Sequence, residues 1–152
     1  DEVYTRAAWA DWLLARGRAA VALAVVERGA DAEADALLLR RVIALRQIGR
    51  PTPLVDVLRE RLAAADRREP GRHAREQARF ALDVEGHPRE ALRLAQANWA
   101  WQREPADAVL LLRAARAAGR DGDATRQQLA RFVRERGWQD VRLVAIEGSA
   151  AS

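Results

Sequence analysis

The sequence contains no cysteine, no lysine and no methionine, and its only serines are Ser149 and Ser152 near the end. Without cysteine there is no thiolate nucleophile, disulfide or cysteine metal site, and without lysine there is no Schiff-base chemistry. Three threonines and one tyrosine are the other hydroxyl side chains, and none is adjacent in sequence to a histidine. These absences predict a non-catalytic protein without a cofactor.

Long apolar runs are also absent, and aromatic residues make up only 5% of the 152 residues. No segment approaches the roughly 20 apolar residues that a membrane-spanning helix needs, and no signal peptide is recognisable. The sequence therefore predicts no membrane insertion. Because the chain begins at Asp1 and contains no methionine, we expect it to be part of a longer protein, with any targeting segment preceding Asp1.

The basic residues are all arginines, 26 against 22 acidic residues, which gives a formal net charge of +4. The two signs are interspersed, as on solvated helix surfaces. The densest basic cluster lies within residues 67–79, where glutamates interrupt it and no aromatic residue supplies a stacking platform for nucleic-acid bases. We favour a solvated, partly salt-bridged face over a nucleic-acid site. The cluster comprises Arg67, Arg68, Arg72, Arg75 and Arg79.

The residues that are plentiful, mainly Ala, Leu and Val, recur at helical spacing in eight segments separated by Gly or Pro. This pattern predicts an all-α fold of about four antiparallel helix hairpins. The hairpin-turn glycines are Gly17, Gly49, Gly86 and Gly119, spaced 32, 37 and 33 residues apart. Such a period is typical of helix–turn–helix repeats. We place one repeat domain at 3–137, with repeats at 3–29, 31–66, 72–103 and 105–137.

Several helix boundaries rest on particular residues. Asp31 is predicted to cap a helix over residues 32–48. Thr52 and Pro53 have the cap and first-turn proline expected at the start of the next helix. A break at 67–71 precedes a helix predicted over 73–85. Residues 138–152 are predicted to form a C-terminal cap, with Trp138 and 141–146 folding back, followed by a flexible tail.

The turns resemble those of the tetratricopeptide repeat family, whose hairpins carry a turn glycine, an alanine five residues later and a helix-ending proline. The matching residues are Gly17 with Ala22, Gly86 with Ala91 and Pro105, and Gly119 with Ala124. The resemblance implies a right-handed superhelix, an α-solenoid, that binds a protein or peptide on its concave face. Segments 73–82, 91–115 and 137–143 also resemble the C-terminal regions of such proteins of unassigned function in high-GC proteobacteria. This resemblance favours a periplasmic or otherwise exported location and leaves a cytoplasmic one open.

In that family the first helix of each pair lines the groove. The corresponding residues here, counted back from the turn glycines, are Tyr4, Asp11, Ile43, Arg46, His73, Glu76, Phe80, Asp83, Val109, Arg113 and Arg116. Among them, the residues that we expect a peptide to contact are Arg46, Phe80, Asp83, Val109, Arg113 and Arg116. Arg113 and Arg116, joined across the groove by Arg46, would hold a carboxylate bidentately. The alternative is that they are ordinary surface arginines.

Two histidine–acid pairs and one acidic turn invite comparison with metal sites. His73 and Glu76, and likewise His87 and Glu90, are three residues apart, but the di-iron helix motif places Glu before His. The turn at 121–123 lacks the twelve-residue frame of a calcium loop. Capping and solvation explain these residues, and we predict no metal site.

The first helix carries an unusually broad apolar arc. We expect this arc to be exposed or to pair with another copy of the chain, unless an upstream repeat covers it. It comprises Trp9, Trp12 and Leu13, widened by Tyr4, Ala8 and Leu14. Two functional hypotheses follow, a peptide-binding module and a structural segment that supports assembly. Peptide capture by the isolated chain would separate them.

Overall fold

The alanine- and leucine-rich segments form helices throughout residues 2–144, which are the residues that the computed structural model describes. No strand occurs in this range, so the all-α prediction is confirmed. Asp1 and residues 145–152, which include the predicted flexible tail, lie outside the described residues. Between residues 2 and 144, no helix has the length and apolar content that crossing a bilayer requires.

The chain divides into two units at Pro70 and Gly71, inside the break that the sequence predicts. The first unit contains α1 (Glu2–Leu14), α2 (Ala19–Val26), α3 (Asp35–Gln47) and α4 (Leu54–Arg68). Helix α1 packs on both α2 and α3, α2 packs on α3, and α3 packs on α4. The fully buried side chains at its centre include Leu13, Leu37, Leu38, Leu39 and Leu58. Burying each leucine contributes roughly 1.5–3 kcal/mol.

The second unit repeats this packing order. It contains α5 (Ala74–Phe80), a π-helical segment (Ala81–Glu85), α6 (Pro88–Trp99), α7 (Pro105–Ala117), a 3₁₀ segment (Gly119–Gly122), α8 (Asp123–Arg136) and α9 (Val141–Val144). Helix α5 packs on α6 and α7, α6 packs on α7, and α7 packs on α8. Alanines of α5, α6 and α7 and leucines of α7 form its core.

All eight predicted helices are present, but several details differ from prediction. Helix α3 begins at Asp35 rather than near residue 32, because Asp31 pairs with Arg6 instead of capping the helix. The helix predicted over 73–85 changes from α to π at Ala81. Pro53, rather than Thr52, occupies the N-cap position of α4. The Thr52 Oγ1 accepts a hydrogen bond of 3.2 Å from the backbone N–H of Leu54, the first residue of the helix.

The turn glycines adopt the backbone conformation that their positions demand. Gly86 ends the π-helical segment with φ at 69°, in the left-handed region that favours glycine. Pro88 then occupies the first turn of α6, where a missing N–H carries no penalty. Local chemistry therefore sets the hairpin turns.

The start of the predicted C-terminal cap packs on the second unit. Trp138 meets Trp99 and Phe132 edge to face, with ring centroids 6.4 and 5.4 Å away. Leu143 on α9 is buried, and α9 packs on α7.

Candidate functional site

Two of the predicted site residues, Asp83 and Arg113, form a charged cluster with the neighbouring Arg79 in the second unit. Asp83, in the π-helical segment, lies between Arg79 on α5 and Arg113 on α7. The Arg79 Nε is 3.5 Å from an Asp83 oxygen, and both Nη groups of Arg113 donate to the Asp83 carboxylate. Asp83 and Arg79 are largely buried, whereas the Arg113 side chain is 46% exposed. We call these three residues the Asp83 cluster.

The π-helical segment is what positions Asp83. A π turn contains more residues than an α turn and often occurs at functional sites. Ala81 and Val84 within the segment are both buried, while Asp83 between them reaches the arginines. This segment could not be recognised from the apolar periodicity, which is compatible with a continuous α-helix over the same residues.

The other four residues predicted to contact a peptide fall into three groups. Val109 and Arg116 lie on α7 with Arg113, half-buried and exposed respectively. Phe80 is only 5% exposed, so its side chain belongs to the core of the unit and offers little surface to a peptide. Arg46 is exposed near the end of α3 in the first unit.

The Asp83 cluster carries two guanidinium groups and one carboxylate. Arg113 engages Asp83 through its two Nη groups, and a guanidinium has five N–H donors in total. Arg113 therefore retains N–H donors for a further carboxylate. A partly exposed guanidinium with remaining N–H donors can bind an anion such as a carboxylate.

A second ionic network, which the sequence did not reveal, joins three helices of the same unit. Asp107 on α7 has a side chain without solvent exposure. It accepts hydrogen bonds of 2.6 and 2.7 Å from Arg75 on α5 and one of 2.7 Å from Asn98 on α6. It also accepts a bond of 3.0 Å from the backbone N–H of Glu104, which fixes the start of α7.

Arg75 is the cation of this network. Burial alone would lower the pKa of its guanidinium, but hydrogen bonds to Asp107 and Glu104 outweigh that effect and raise the pKa above its ordinary value. Arg75 therefore stays charged wherever the protein is folded, and the network is structural.

The first unit uses arginines in the same way. Buried Arg6 on α1 donates to the backbone carbonyls of Val25, Val26 and Arg28 and so satisfies groups at the C-terminal end of α2. Arg40 on α3 donates to both carboxylate oxygens of Asp11 on α1, at 3.0 and 2.8 Å.

These ion pairs share a sequence spacing that could have identified them. Arg40 and Asp11 are 29 residues apart, Arg113 and Asp83 are 30 apart, and Arg75 and Asp107 are 32 apart. Each separation is close to one repeat period, so an arginine and an acid one period apart are candidates for a bridge between successive hairpins.

The outer face of α1 carries three exposed aromatic side chains. Tyr4, Trp9 and Trp12 are 70, 52 and 47% exposed. The predicted arc is narrower than the sequence suggested, because Leu13 and Leu14 are buried in the unit. The Arg16 guanidinium stacks 4.0 Å from the centre of the Trp12 ring.

The histidine–acid pairs do not form a metal-binding group in the described part of the chain. His87 Nδ1 is 3.4 Å from a carboxylate oxygen of Glu85. Glu90 accepts two hydrogen bonds from Arg93, which lower its pKa. Over residues 2–144, no three His, Asp or Glu side chains are grouped as a metal would require.

Comparison of the chain with protein-family models, curated proteins and solved structures gives no match. The helix packing and surface chemistry described above are therefore the basis for a functional proposal.

Proposed function

We propose that this chain is a non-catalytic, tetratricopeptide-like scaffold whose hairpins stack in a right-handed superhelix and bind a protein or peptide segment. One observation carries the proposal. In each unit the first helix of a hairpin packs on both its partner and the first helix of the next hairpin, in the same order. Ion pairs one repeat period apart bridge the first helices in both units. This is the packing expected of stacked helical repeats.

The proposed ligand is an acidic peptide segment. First-helix surfaces of the second unit present the Asp83 cluster, flanked on α7 by Val109 and Arg116. Arg113 retains N–H donors for a ligand carboxylate beyond those that bond Asp83, and Val109 adds an apolar contact beside it. Arg46 adds positive charge to the first-helix surface of the first unit.

The test is retention of peptides from an array in which acidic, neutral and basic sequences are equally represented. We expect acidic peptides to be retained and the double variant Arg113→Ala, Arg116→Ala to lose them. Circular dichroism must show that the double variant is folded at the assay temperature, because Arg113 also pairs with the largely buried carboxylate of Asp83 and its removal lowers the stability. Salt should weaken retention because the contacts are exposed charges.

Arg131→Ala with Arg134→Ala is the matched control, because it removes two exposed arginines, also three residues apart, from α8. The control should retain acidic peptides. If both variants lose acidic peptides equally, the retention depends on net charge alone and not on Arg113 and Arg116. If the unmodified chain shows no preference for acidic peptides, the proposal is wrong.

A second candidate function is structural, with the chain supporting self-association. The exposed Trp9 and Trp12 on α1 favour it, because large contiguous apolar patches on a monomer commonly mark interaction sites. This candidate is independent of the Asp83 cluster, which lies in the other unit.

A further inference from the structure

We propose that two copies of this chain associate through an antiparallel pairing of their α1 helices, with Trp9 at the twofold axis. The proposal rests on the self-association candidate above and adds to it the occupant of the α1 face and its orientation. Isologous twofold pairing is the commonest arrangement of homo-oligomers.

The α1 outer face has an apolar centre and oppositely charged ends. Moving along it, Glu2 is followed by Thr5, Trp9 and Trp12, and Arg16 comes just after the helix. These residues recur every three or four positions and thus share one side of the helix. Tyr4 widens the apolar centre.

Equivalent surfaces elsewhere in the chain are covered by helices. Trp9 and Trp12 lie eight and five residues before Gly17, and Leu111 and Ala114 on α7 lie at the same distances before Gly119. Both α7 residues are buried in the core that α7 shares with α5 and α6.

The first unit gives the same result. Arg41 and Ala44 on α3 lie eight and five residues before Gly49. Ala44 is fully buried, and the Arg41 Nε is 3.0 Å from the carboxylate of Glu27 in the preceding hairpin. In both α3 and α7, therefore, the face that corresponds to Trp9 and Trp12 packs against other parts of the fold.

The charges select an antiparallel second copy. Glu2 and Arg16 are each seven residues from Trp9, so an antiparallel pair centred on Trp9 places Glu2 of one copy beside Arg16 of the other, twice. A parallel pair would instead align like charges and like helix dipoles. Asp11, the acid nearest the middle of α1, is already neutralised by Arg40.

Head-to-tail association is less favourable. It would require a matching apolar face on the second unit. Among the residues described there, α9 packs on α7 with Leu143 buried, and the exposed large apolar side chains are Trp101, which follows α6, and Val141 on α9. The exposed residues of α8 are mostly polar or charged, and they include Gln127, Gln128, Arg131, Arg134 and Glu135.

The buried area predicts a reversible dimer. A fully buried aromatic side chain covers 150–250 Å², so three that are about half exposed contribute on the order of 300 Å² per copy. A standard stable interface buries about 800 Å² per partner. Association should therefore increase with protein concentration.

The experiment is analytical ultracentrifugation of the whole chain over a wide concentration range. We expect a monomer–dimer equilibrium. Trp9→Glu and Trp12→Glu should each weaken the dimer at least about tenfold, as removal of a central aromatic at an interface commonly does. Trp101→Glu is the matched control, since Trp101 is 62% exposed in the second unit, and it should leave the equilibrium unchanged.

A charge swap tests the orientation. Glu2→Arg and Arg16→Glu should each weaken the dimer severalfold, because each places two like-charged pairs at the interface. The double variant should restore the original affinity, since the pairs re-form with reversed signs. Circular dichroism of every variant should match that of the unmodified chain, because all five substituted residues are exposed.

These measurements distinguish self-association through α1 from the antiparallel orientation of the two helices. A dimer that the tryptophan variants dissociate and the double swap restores supports the antiparallel pair. A dimer that the double swap fails to restore overturns the orientation and leaves the self-association candidate standing. A monomer at every concentration overturns both, and none of these results depends on peptide binding at the Asp83 cluster.

Discussion

Two glycines three residues apart illustrate how differently single residues can serve one turn. Gly119 has a φ of +61°, and a Cβ placed there would meet no atom within 4 Å. Gly122 has an ordinary φ of −93°, but a Cβ there would collide with the backbone carbonyl of Ala115 and lie 2.7 Å from its Cα. Gly119 is therefore required for its backbone conformation, and Gly122 for the close approach of the turn to α7.

We expect Gly122→Ala to cost about 3 kcal/mol or more in the free energy of unfolding, at the upper end of overpacking effects, because the obstacle is backbone. Gly119→Ala should cost only about 1–2 kcal/mol, the usual penalty of a left-handed non-glycine residue. Urea unfolding followed by circular dichroism measures both. Equal losses would show that the turn yields to the added methyl group without disturbing α7.

The side chain of Asp140 caps the start of the short helix α9. The backbone N–H of Arg142 donates to Asp140 Oδ1 at 2.9 Å, and the Arg142 guanidinium binds the same carboxylate. This cap holds α9 in the position that buries Leu143. The hydrogen bond from the Arg142 side chain, aided by the backbone bond, lowers the pKa of Asp140.

The lowered pKa predicts the direction of a pH effect. Asp140 stabilises the fold fully above its unfolded-state pKa, about 3.9, and this stabilisation is lost as the pH falls through the lower folded-state pKa. Unfolding free energies measured at a series of acidic pH values should therefore decrease more steeply in the unmodified chain than in Asp140→Asn, which can still cap α9 but does not titrate. Identical pH profiles would show that α9 does not depend on the ionised carboxylate.

For the whole molecule, each unit has its own core and the same order of helix packing. Residues 2–144 form helices joined by turns, with no strand among them. Far-ultraviolet circular dichroism should accordingly show a predominantly helical protein with negligible strand. A measured strand content of about a quarter would contradict both the repeat pattern and the fold.

The candidate site was only partly predictable. Counting back from the turn glycines identified Asp83 and Arg113, which the structure brings into contact. The same count selected Phe80, which is buried instead. Counting assumes a uniform α-helix, and the π-helical segment changes which side chains face the solvent. Arg79, the third member of the cluster, was assigned to a solvated basic cluster because sequence gives no measure of burial.

The sequence by itself determined the helical segments and their turns. These features are local, since apolar spacing, proline at a first turn and left-handed glycine each act within a few residues. The tertiary structure alone decided which arginines are structural, such as Arg75 bound to Asp107, and which aromatic residues remain exposed, such as Trp9. Those properties arise when residues about 30 apart are packed together, and neither burial nor pairing at that distance is encoded in any single helix.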